Sequence, residues 1–564
     1  VVDAMLLVLV TMVAKVTATK APPSVVFIVG DDVGYKDLGH FNGKKVLTPT
    51  IDGLIESGIF LSDYYTFKIC SPSRAAMLTG RYPWGAGFYD MNADTNHCTS
   101  NFTALPEMLK PRYKTHALGK YDVGFMEKKC SPTFRGYDTF FGYYAACEAD
   151  YWYHGASGGY PNSSPTCRKV DDEFQPGWPT DLSNSTATRI EPAAPYLNGT
   201  YNTRLLANEA ARLVRAHRVE EGFYMYLAFM AVHDGCTDNR VGAPFAKLGK
   251  QAPAATVRLY NRTVKDTYKV AHAMYTEMDG GIATVIEALK EKEMWDNSVI
   301  IFVSDNGGPL DHCTNAPLRG GKHTFFEGGV RVMSFLSGPL IPQARRGTRW
   351  TGLAASADWY KTIVEGIAGS TVPANTGGLR PPDALNLWPS ILEGTPGPRT
   401  EVVHQVQNGY SCDVTQAGGG CCSSMRMGEM KIIVGGPGDS RTVEVPNLSP
   451  TTVPFGLTGG VIEQGTDHAR AGSLGGATFD LKCTPFCLFN LTADVGEQMD
   501  LAADPQYASV AQRLLARLQF HGATGPPPAY IWPNLTVWQQ NVQKLCTNSV
   551  ASGSMQPIDS TTSL

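Results

Sequence analysis

The chain has 564 residues, which suffices for one large α/β domain and a smaller one at about 100–200 residues per domain. Its 48 basic and 52 acidic side chains leave a formal charge of −4, which argues against a nucleic-acid-binding protein. A hydrophobic content of 43% excludes general disorder. Thirteen cysteines are more than a typical cytosolic enzyme carries, and the odd number leaves at least one without an internal partner in an oxidising compartment.

The N-terminal residues indicate export. Residues 5–14 form an apolar run of signal-peptide length that ends at Lys15, short of the about 18 apolar residues that a membrane span needs. Asp3 stands where a signal peptide usually has a basic residue, so an uncleaved anchor or neither remains open. We expect residues 1–21 to be a signal peptide or export segment, and we expect no stable membrane span.

Eight Asn-x-Ser/Thr sequons also point to the secretory pathway. The predicted glycosylation sites are Asn101, Asn162, Asn184, Asn198, Asn261, Asn447, Asn490 and Asn534. One sequon arises readily by chance, but eight sequons beside thirteen cysteines indicate a glycoprotein. We therefore predict a secreted protein or one of a lysosome-like compartment.

Four strongly apolar runs each end in a polar or glycine-rich turn. They are residues 25–29, 115–118, 223–232 and 299–303. Near-continuous apolar runs are typical of parallel strands that are buried on both faces. Helical patterns lie between them at 49–57, 105–110, 204–217 and 267–291. This alternation predicts an α/β domain with a mostly parallel sheet flanked by helices.

The composition changes along the chain and suggests how it is divided. A stretch rich in glycine, proline and serine at 153–200 indicates a surface insertion in a large domain that spans 22–405. The following glycine-rich sequence predicts a smaller C-terminal α+β domain at 406–546. The Ser/Thr-rich tail, 547–564, is predicted to be disordered.

Chemically useful side chains follow the four apolar runs. They are Asp31, Asp32, Lys120, His233, Asp305 and Asn306. Ligands of open parallel sheets bind outside the carboxyl ends of the strands, so we expect these side chains to converge. Carboxylate and amide oxygens suit a hard cation such as Ca²⁺ or Mg²⁺ better than zinc. Either acidic pair alone fits an ordinary turn, but the two pairs with two basic groups favour a site.

Residues 70–81 read Cys-Ser-Pro-Ser-Arg-Ala-Ala-Met-Leu-Thr-Gly-Arg and predict a short helix. Ser71 is expected to cap its N-terminus, and Gly80 to end it. Backbone N–H groups and the helix dipole would then favour negative charge at Cys70, and Arg74 lies one turn further. The segment predicts a reactive cysteine with a lowered pKa, and the alternative is a disulfide cysteine beside an ordinary cap.

The pattern Cys70-x-Pro-Ser-Arg followed by Leu-Thr-Gly-Arg resembles the signature of the sulfatase family. The similarity runs from about Ser24 to His404, with a fainter echo at 487–501, and looks most like the arylsulfatase B type. Further matching stretches lie at 48–52, 135–143, 317–320 and 327–331. The resemblance implies an alkaline-phosphatase-like fold. It also implies that a formylglycine-generating enzyme converts Cys70 to formylglycine in the endoplasmic reticulum.

The resemblance further implies a role for each site residue. The implied Ca²⁺ ligands are Asp31, Asp32, Asp305, Asn306 and the modified residue 70. Arg74 would support the formylglycine, while Lys120, His233 and Lys322 would bind the substrate sulfate. In the family, a metal-activated hydroxyl of the formylglycine gem-diol attacks sulfur, and His233 or Lys322 would protonate the departing oxygen. The implied substrates are an aryl sulfate or a sulfated sugar such as N-acetylgalactosamine 4-sulfate.

One position departs from the family pattern. Where sulfatases have Lys-Trp-His, this chain has Lys120-Tyr121-Asp122. A carboxylate can accept the proton that the family histidine takes, so Asp122 is our candidate base, but an ionised carboxylate donates no hydrogen bond. His116 is a poor substitute, because four residues along a strand span about 13 Å. We therefore expect weakened or altered sulfatase activity.

Two other functions remain open. One is a phosphatase or phosphodiesterase of the same superfamily, although such enzymes present Ser or Thr and histidine-rich zinc sites. The other is a catalytically impaired, secreted protein that binds sulfated ligands. Motifs for dinucleotide binding and the P-loop are absent from the sequence. If Cys70 becomes formylglycine, twelve cysteines remain, enough for six disulfides.

Overall fold

The computed structural model describes most of the chain. The described residues are 21–88, 98–124, 127–144, 151–152, 183–186, 199–235, 250–260, 266–374, 381–406, 422–442 and 483–524. Nearly all of the expected export segment, most of the expected insertion and the whole tail lie outside these residues. So do five predicted glycosylation sites, Asn162, Asn198, Asn261, Asn447 and Asn534.

Fifteen strands lie within the described residues. They are β1 (Ser24–Gly30), β2 (Ile59–Leu61), β3 (Tyr64–Tyr65), β4 (Tyr113–Lys120), β5 (Thr139–Tyr143), β6 (Ser183–Thr186), β7 (Gly222–Ala228), β8 (Ser298–Ser304), β9 (Ser334–Ser337), β10 (Thr348–Trp350), β11 (Ala354–Ala355), β12 (Glu401–Gln405), β13 (Cys422–Met427), β14 (Met430–Gly435) and β15 (Cys483–Asn490).

The same residues contain eleven α-helices. They are α1 (Gly39–Asn42), α2 (Pro49–Glu56), α3 (Cys70–Thr79), α4 (Leu105–Leu109), α5 (Asn202–Ala216), α6 (Ala254–Val257), α7 (Asp266–Glu291), α8 (Glu327–Val330), α9 (Asp358–Lys361), α10 (Trp388–Glu393) and α11 (Ala508–Thr524). The four helical patterns recognised in the sequence correspond to α2, α4, α5 and α7.

A nine-stranded sheet organises the larger part of the described chain, in the order β10-β2-β9-β8-β1-β7-β4-β5-β6. The four apolar runs form its centre, where β8, β1, β7 and β4 are neighbours and run parallel. Antiparallel pairs occur at β2–β9, β9–β8 and β5–β6. The prediction of a mostly parallel sheet is confirmed, and the carboxyl ends of the four central strands share one edge.

Both faces of this sheet are covered, which explains why the strands are apolar throughout. Along β1, Val25, Phe27 and Val29 belong to one buried cluster, whereas Val26 and Ile28 belong to the other. Helices α5 and α7 contribute to the cluster of Val26, and α3 and α9 contribute to the cluster of Val25. Helix α3 is therefore anchored on one face, with its first residue at the carboxyl edge of the sheet.

The smaller domain is built on an antiparallel sheet in the order β12-β13-β14-β15. Helix α11 packs on this sheet through Ala511, Leu514 and Leu518, which share an apolar cluster with Ile432 and Leu488. The predicted α/β fold with a smaller α+β domain is thus confirmed.

The described cysteines are partly paired. Two disulfides lie within the described residues, Cys98–Cys130 and Cys483–Cys487. Among the same residues, Cys70 and Cys313 form no disulfide, and both are buried. The Cys313 thiol lies 3.6 Å from the backbone oxygen of Asp32. Twelve cysteines other than Cys70 would allow six disulfides, but in the described part of the chain Cys313 forms none and lies beside the site residue Asp32.

Two features of the described part concern membranes and glycosylation. Within that part no helix has both the length and the apolar character needed to cross a membrane. Of the predicted glycosylation sites that are described, Asn101 and Asn184 are exposed and Asn490 is partly exposed. These three side chains can therefore be reached from solvent.

Candidate active site

The carboxyl edge of the central sheet brings the predicted residues together. Asp31 and Asp32 follow β1, Asp305 and Asn306 follow β8, Lys120 is the last residue of β4, and His233 lies five residues after β7. Cys70 is the first residue of α3, which approaches the same edge from one face of the sheet. Taken one strand at a time, the polar residues after a strand resemble an ordinary turn. Because the strands are parallel neighbours, these residues lie together at one edge of the sheet.

The N-terminus of α3 differs in detail from the prediction. Ile69 occupies the capping position, and Ser71 lies inside the first turn, so the expectation that Ser71 caps the helix is wrong. The Ser71 hydroxyl instead donates to Asp122 Oδ1 at 2.7 Å. Burial raises the pKa of the Cys70 thiol well above its usual range, although Lys120 and Lys322 act in the opposite direction. The expected lowering of this pKa is wrong for the unmodified side chain, because desolvation dominates.

Four side chains form a group whose ligand atoms fit one metal ion. One ligand atom from each of Asp31, Asp32, Cys70 and His233 lies within 4.8 Å of the others. Asn306 adds an amide oxygen, Oδ1, which is buried and has no hydrogen-bond partner. Its Nδ2 donates to Asp32 Oδ1 at 2.7 Å, which holds the amide beside the group. A buried, unsatisfied oxygen next to two carboxylates fits a hard cation such as Ca²⁺.

Asp305 is bound differently from the other two carboxylates. Its Oδ2 accepts hydrogen bonds from Arg74 Nη2 at 2.7 Å and Nε at 3.0 Å. Its Oδ1 lies 3.2 Å from the Asp32 backbone N–H, which donates to it. Arg74 Nη1 also donates to the Lys120 backbone oxygen at 2.9 Å, so the guanidinium ties α3 to β4 and β8. Arg74 is thus placed mainly as a structural support of the acidic residues, fully buried and charge-paired.

Each lysine of the site is paired with one aspartate. Lys120 Nζ lies 2.6 Å from Asp31 Oδ2, and both side chains are fully buried. Lys322 Nζ lies 2.7 Å and 2.9 Å from the two carboxylate oxygens of Asp32. Burial tends to raise the pKa of Asp32, but the charge of Lys322 and its hydrogen bond to the carboxylate hold that pKa well below its usual range. The site therefore presents fixed charges of both signs in a region with little water.

His233 lies on the Lys322 side of the group. Its Nε2 is 3.9 Å from Asp32 Oδ2, and its Nδ1 is 2.8 Å from the backbone oxygen of Asp234. A carbonyl oxygen only accepts, so this contact assigns the proton of the neutral ring to Nδ1. Burial, with Lys322 adding repulsion, lowers the pKa of His233 to about 3. The imidazole is therefore neutral at neutral pH.

Sequence reasoning missed Lys250, which supports His233. The Lys250 ammonium contacts the backbone oxygen of Val232 and lies 3.2 Å from Asp234 Oδ1. These are the two residues on either side of His233. Nothing in the sequence marks Lys250, because it belongs to no motif and lies 17 positions from His233.

Asp122 is the residue at which this chain departs from the Lys-Trp-His pattern of the family. Its backbone is left-handed, with φ of +53°, and its backbone N–H donates to the backbone oxygen of Tyr144 at 3.2 Å. Asp122 Oδ2 lies 3.7 Å from Lys120 Nζ and is buried without a hydrogen-bond partner. Burial raises the pKa of this carboxyl, and Lys120 acts in the opposite direction.

His116 lies elsewhere, as the strand spacing predicts. It is four residues before Lys120 on β4, and its Nδ1 is 2.8 Å from Thr139 Oγ1. Its ring packs near Phe223, with 5.3 Å between ring centroids. Among the described residues, Asp122 is therefore the side chain that stands where the family histidine is expected, and His116 does not replace it.

Known proteins resemble this chain over most of its length. Residues 23–369 match the family model described as Sulfatase. Arylsulfatase J of Mus musculus is 30% identical over 533 residues, covering 91% of this chain and 78% of that protein. N-acetylgalactosamine-6-sulfatase of Homo sapiens is 27% identical over 398 residues, covering 66% of each chain.

A solved structure agrees with these relatives in fold. The crystal structure of Ps i-CgsB in complex with k-i-k-neocarrahexaose has a TM-score of 0.66 and 22% identity, covering 94% of this chain and 99% of that chain. At this identity the likeness shows the fold, and the family model with the arylsulfatase relative shows the family. The chain belongs to the sulfatase family of sulfuric ester hydrolases.

Proposed function

We propose that this sulfatase hydrolyses sulfate monoesters of sulfated sugars or aryl sulfates, with Cys70 converted to formylglycine and Ca²⁺ as the metal. The observation that carries the proposal is the meeting of Cys70, Asp31, Asp32 and His233 within 4.8 Å at the sheet edge. A positively charged lysine stands on each side of this group, paired with Asp31 or Asp32. The arrangement suits a small anion that must be held beside a metal.

The residues present fit the two groups that the family uses. Asp31, Asp32, Asp305, Asn306 and residue 70 would hold Ca²⁺, and Mg²⁺ is the alternative among oxygen-binding cations. His233 belongs to the same group but offers nitrogen, which these cations bind less readily than oxygen, so it would be left for the substrate. When bound, the metal would supply positive charge beside the sulfuryl oxygens, and a formylglycine at position 70 would supply the attacking hydroxyl. The unsatisfied Oδ1 of Asn306 supports this assignment, since a buried amide oxygen without a donor is costly unless a cation binds it.

Lys120, His233 and Lys322 would bind the sulfuryl oxygens of the substrate. Lys322 keeps 7% of its side chain exposed to solvent, whereas Lys120 is fully buried. Because neutral His233 carries its proton on Nδ1, its Nε2 has no proton to give. Lys322 stays charged, since its pair with Asp32 raises its pKa against the effect of burial, and it is the better donor to the departing oxygen.

Asp122 would act as the base that the family histidine otherwise provides. Its Oδ2 has no hydrogen-bond partner and lies beside Lys120, whose ammonium also contacts Asp31. A carboxylate with a free oxygen can accept a proton from residue 70. Since it cannot also donate while ionised, turnover should be lower than with histidine.

Two similarities support a sulfated sugar as the substrate. N-acetylgalactosamine-6-sulfatase is a relative named for a sulfated amino sugar, and Ps i-CgsB was solved with a neocarrahexaose bound. The two disulfides and the exposed Asn101 and Asn184 support a glycoprotein of the secretory pathway, secreted or in a lysosome-like compartment. Maturation would then require a formylglycine-generating enzyme as a transient partner.

The test compares an aryl sulfate with the matching aryl phosphate, using full-length protein made in a host that has the modifying enzyme. Hydrolysis of the sulfate that is lost in C70A supports the proposal. Faster hydrolysis of the phosphate would instead assign a phosphatase or phosphodiesterase. The departure at Asp122 favours a second candidate, a secreted sulfate-ligand binding protein, and binding of the sulfate without product release would assign it.

A further inference from the structure

Ser71 makes a contact that the family roles do not explain. Its hydroxyl donates to Asp122 Oδ1 at 2.7 Å, and both residues are at least 97% buried. Ser71 directly follows residue 70 on α3, while Asp122 lies two residues after the end of β4, so the bond joins the helix to the carboxyl end of that strand. A hydrogen bond to an ionised carboxylate is among the stronger ones in proteins.

The hydrogen bond from Ser71 fixes the orientation of the Asp122 carboxylate. The backbone of Asp122 is held by its N–H bond to Tyr144, but this does not determine where the carboxylate points. Lys120 Nζ lies 3.7 Å from Asp122 Oδ2, which is beyond hydrogen-bond distance. Without Ser71, the carboxylate would gain energy by rotating into direct contact with this ammonium.

We propose that Ser71 is a positioning residue, whose hydroxyl holds Asp122 Oδ1 so that Oδ2 stays free of hydrogen bonds and available to residue 70. The inference rests on the proposed function, because it assigns Ser71 a role through the base of that reaction. The unpartnered, buried Oδ2 is the observation that points to it. A carboxylate that is already paired with Lys120 would be a weaker base.

The test uses S71A, S71T and each of them combined with D122A, in full-length protein made with the modifying enzyme. We expect S71A to lower kcat by about tenfold or more while KM changes less than about twofold, because one charge-assisted hydrogen bond is lost. S71T keeps a hydroxyl and should restore most of kcat. In the D122A background, S71A should have no further effect. T284A, which removes a hydroxyl that donates to the backbone oxygen of Gly280 in its own helix, is the matched control.

A crystallographic readout that is independent of activity accompanies the kinetics. In S71A we expect the Asp122 carboxylate to turn toward Lys120, and in S71T to stay in place, whether residue 70 is cysteine or formylglycine. Peptide mass spectrometry reports the conversion of residue 70, and kcat is expressed per converted site. If the wild type hydrolyses no sulfate although residue 70 is converted, the proposed function fails and the crystal structures still decide the role of Ser71. An unmoved Asp122 in S71A, or an equal loss of kcat in the D122A background, would overturn the inference.

Discussion

The ammonium of Lys250 lies 3.2 Å from Oδ1 of Asp234, and it also contacts the backbone oxygen of Val232. One buried charge therefore holds both neighbours of His233, whose Nε2 lies 3.9 Å from Asp32 Oδ2. The ring is fixed further by its Nδ1 contact to the Asp234 oxygen. The place of His233 thus depends on a lysine from a different segment of the chain.

We expect K250M to lower kcat/KM by about tenfold to a hundredfold, because His233 loses its fixed position beside Asp32. Steady-state kinetics with an aryl sulfate measure this, and thermal unfolding shows whether the variant is folded. K44M is the control, since 59% of the Lys44 side chain is exposed and it lies on a surface ion pair. Unchanged kcat/KM in folded K250M would show that Lys250 does not position His233.

Asn306 should contribute to metal binding and not only to structure. Its buried Oδ1 has no partner within the described chain, so a cation there would stabilise the folded protein. Wild-type protein should melt at a higher temperature with Ca²⁺ than after treatment with a chelator, and N306A should show a smaller difference. Differential scanning fluorimetry over a range of Ca²⁺ concentrations measures both. Equal Ca²⁺-dependent shifts in the two proteins would remove Asn306 from the ligand set.

Asp122 should limit turnover. We expect D122H to raise kcat, because an imidazole can both accept and donate a hydrogen bond and removes a negative charge beside an anionic substrate. D122N, which has nearly the same shape but no basic oxygen, should lower kcat. The comparison uses protein with equal conversion of residue 70. Unchanged or lower activity in D122H would count against this account of the departure.

Glu497 lies where the two domains meet, and it should make the free energy of unfolding depend on pH. Its carboxylate lies 2.9 Å from Lys431 Nζ, which also binds Glu327 of α8 at 2.9 Å. Burial raises the pKa of Glu497 to about 7, although Lys431 acts in the opposite direction. The folded state thus holds a proton that the unfolded chain releases above its ordinary pKa of 4.5. This stabilisation is complete below that value and is lost as the pH rises through about 7.

The variant E497Q imitates the protonated side chain and tests this directly. Its free energy of unfolding, relative to the wild type, should increase between pH 5 and pH 7.5 by about 1–3 kcal/mol. Taking the difference between the two proteins removes the effect of the other titrating groups. E429Q, at an exposed position of the same domain, is the control. A difference that stays constant with pH would contradict the raised pKa of Glu497.

Much of the fold followed from residue patterns. The four apolar runs predicted parallel strands, because a strand covered by helices on both faces has no polar side. Placing Asp31 and Asp305 at one edge required only that β1 and β8 be parallel, as they are. The bounds of α5 and α7 were close to prediction, because a long helix repeats its apolar residues at helical spacing over several turns.

Other features depend on contacts between distant segments and were beyond the sequence. Ser71 looked like a helix cap because local rules favour serine there, but its hydroxyl is used by Asp122, 51 positions away. The pKa of Cys70 was expected to fall, since a helix N-terminus was visible in the sequence and the extent of burial was not. No sequence pattern indicated Lys250, because its contacts with Val232 and Asp234 arise only when its segment packs beside them in the folded chain.

The central claim is that residue 70 carries the chemistry after modification. Peptide mass spectrometry across residues 70–81, on full-length protein made in a host with the modifying enzyme, tests it most directly. The account predicts that the peptide contains formylglycine in place of Cys70 and that aryl sulfate hydrolysis scales with the converted fraction. An unmodified cysteine under these conditions would contradict it.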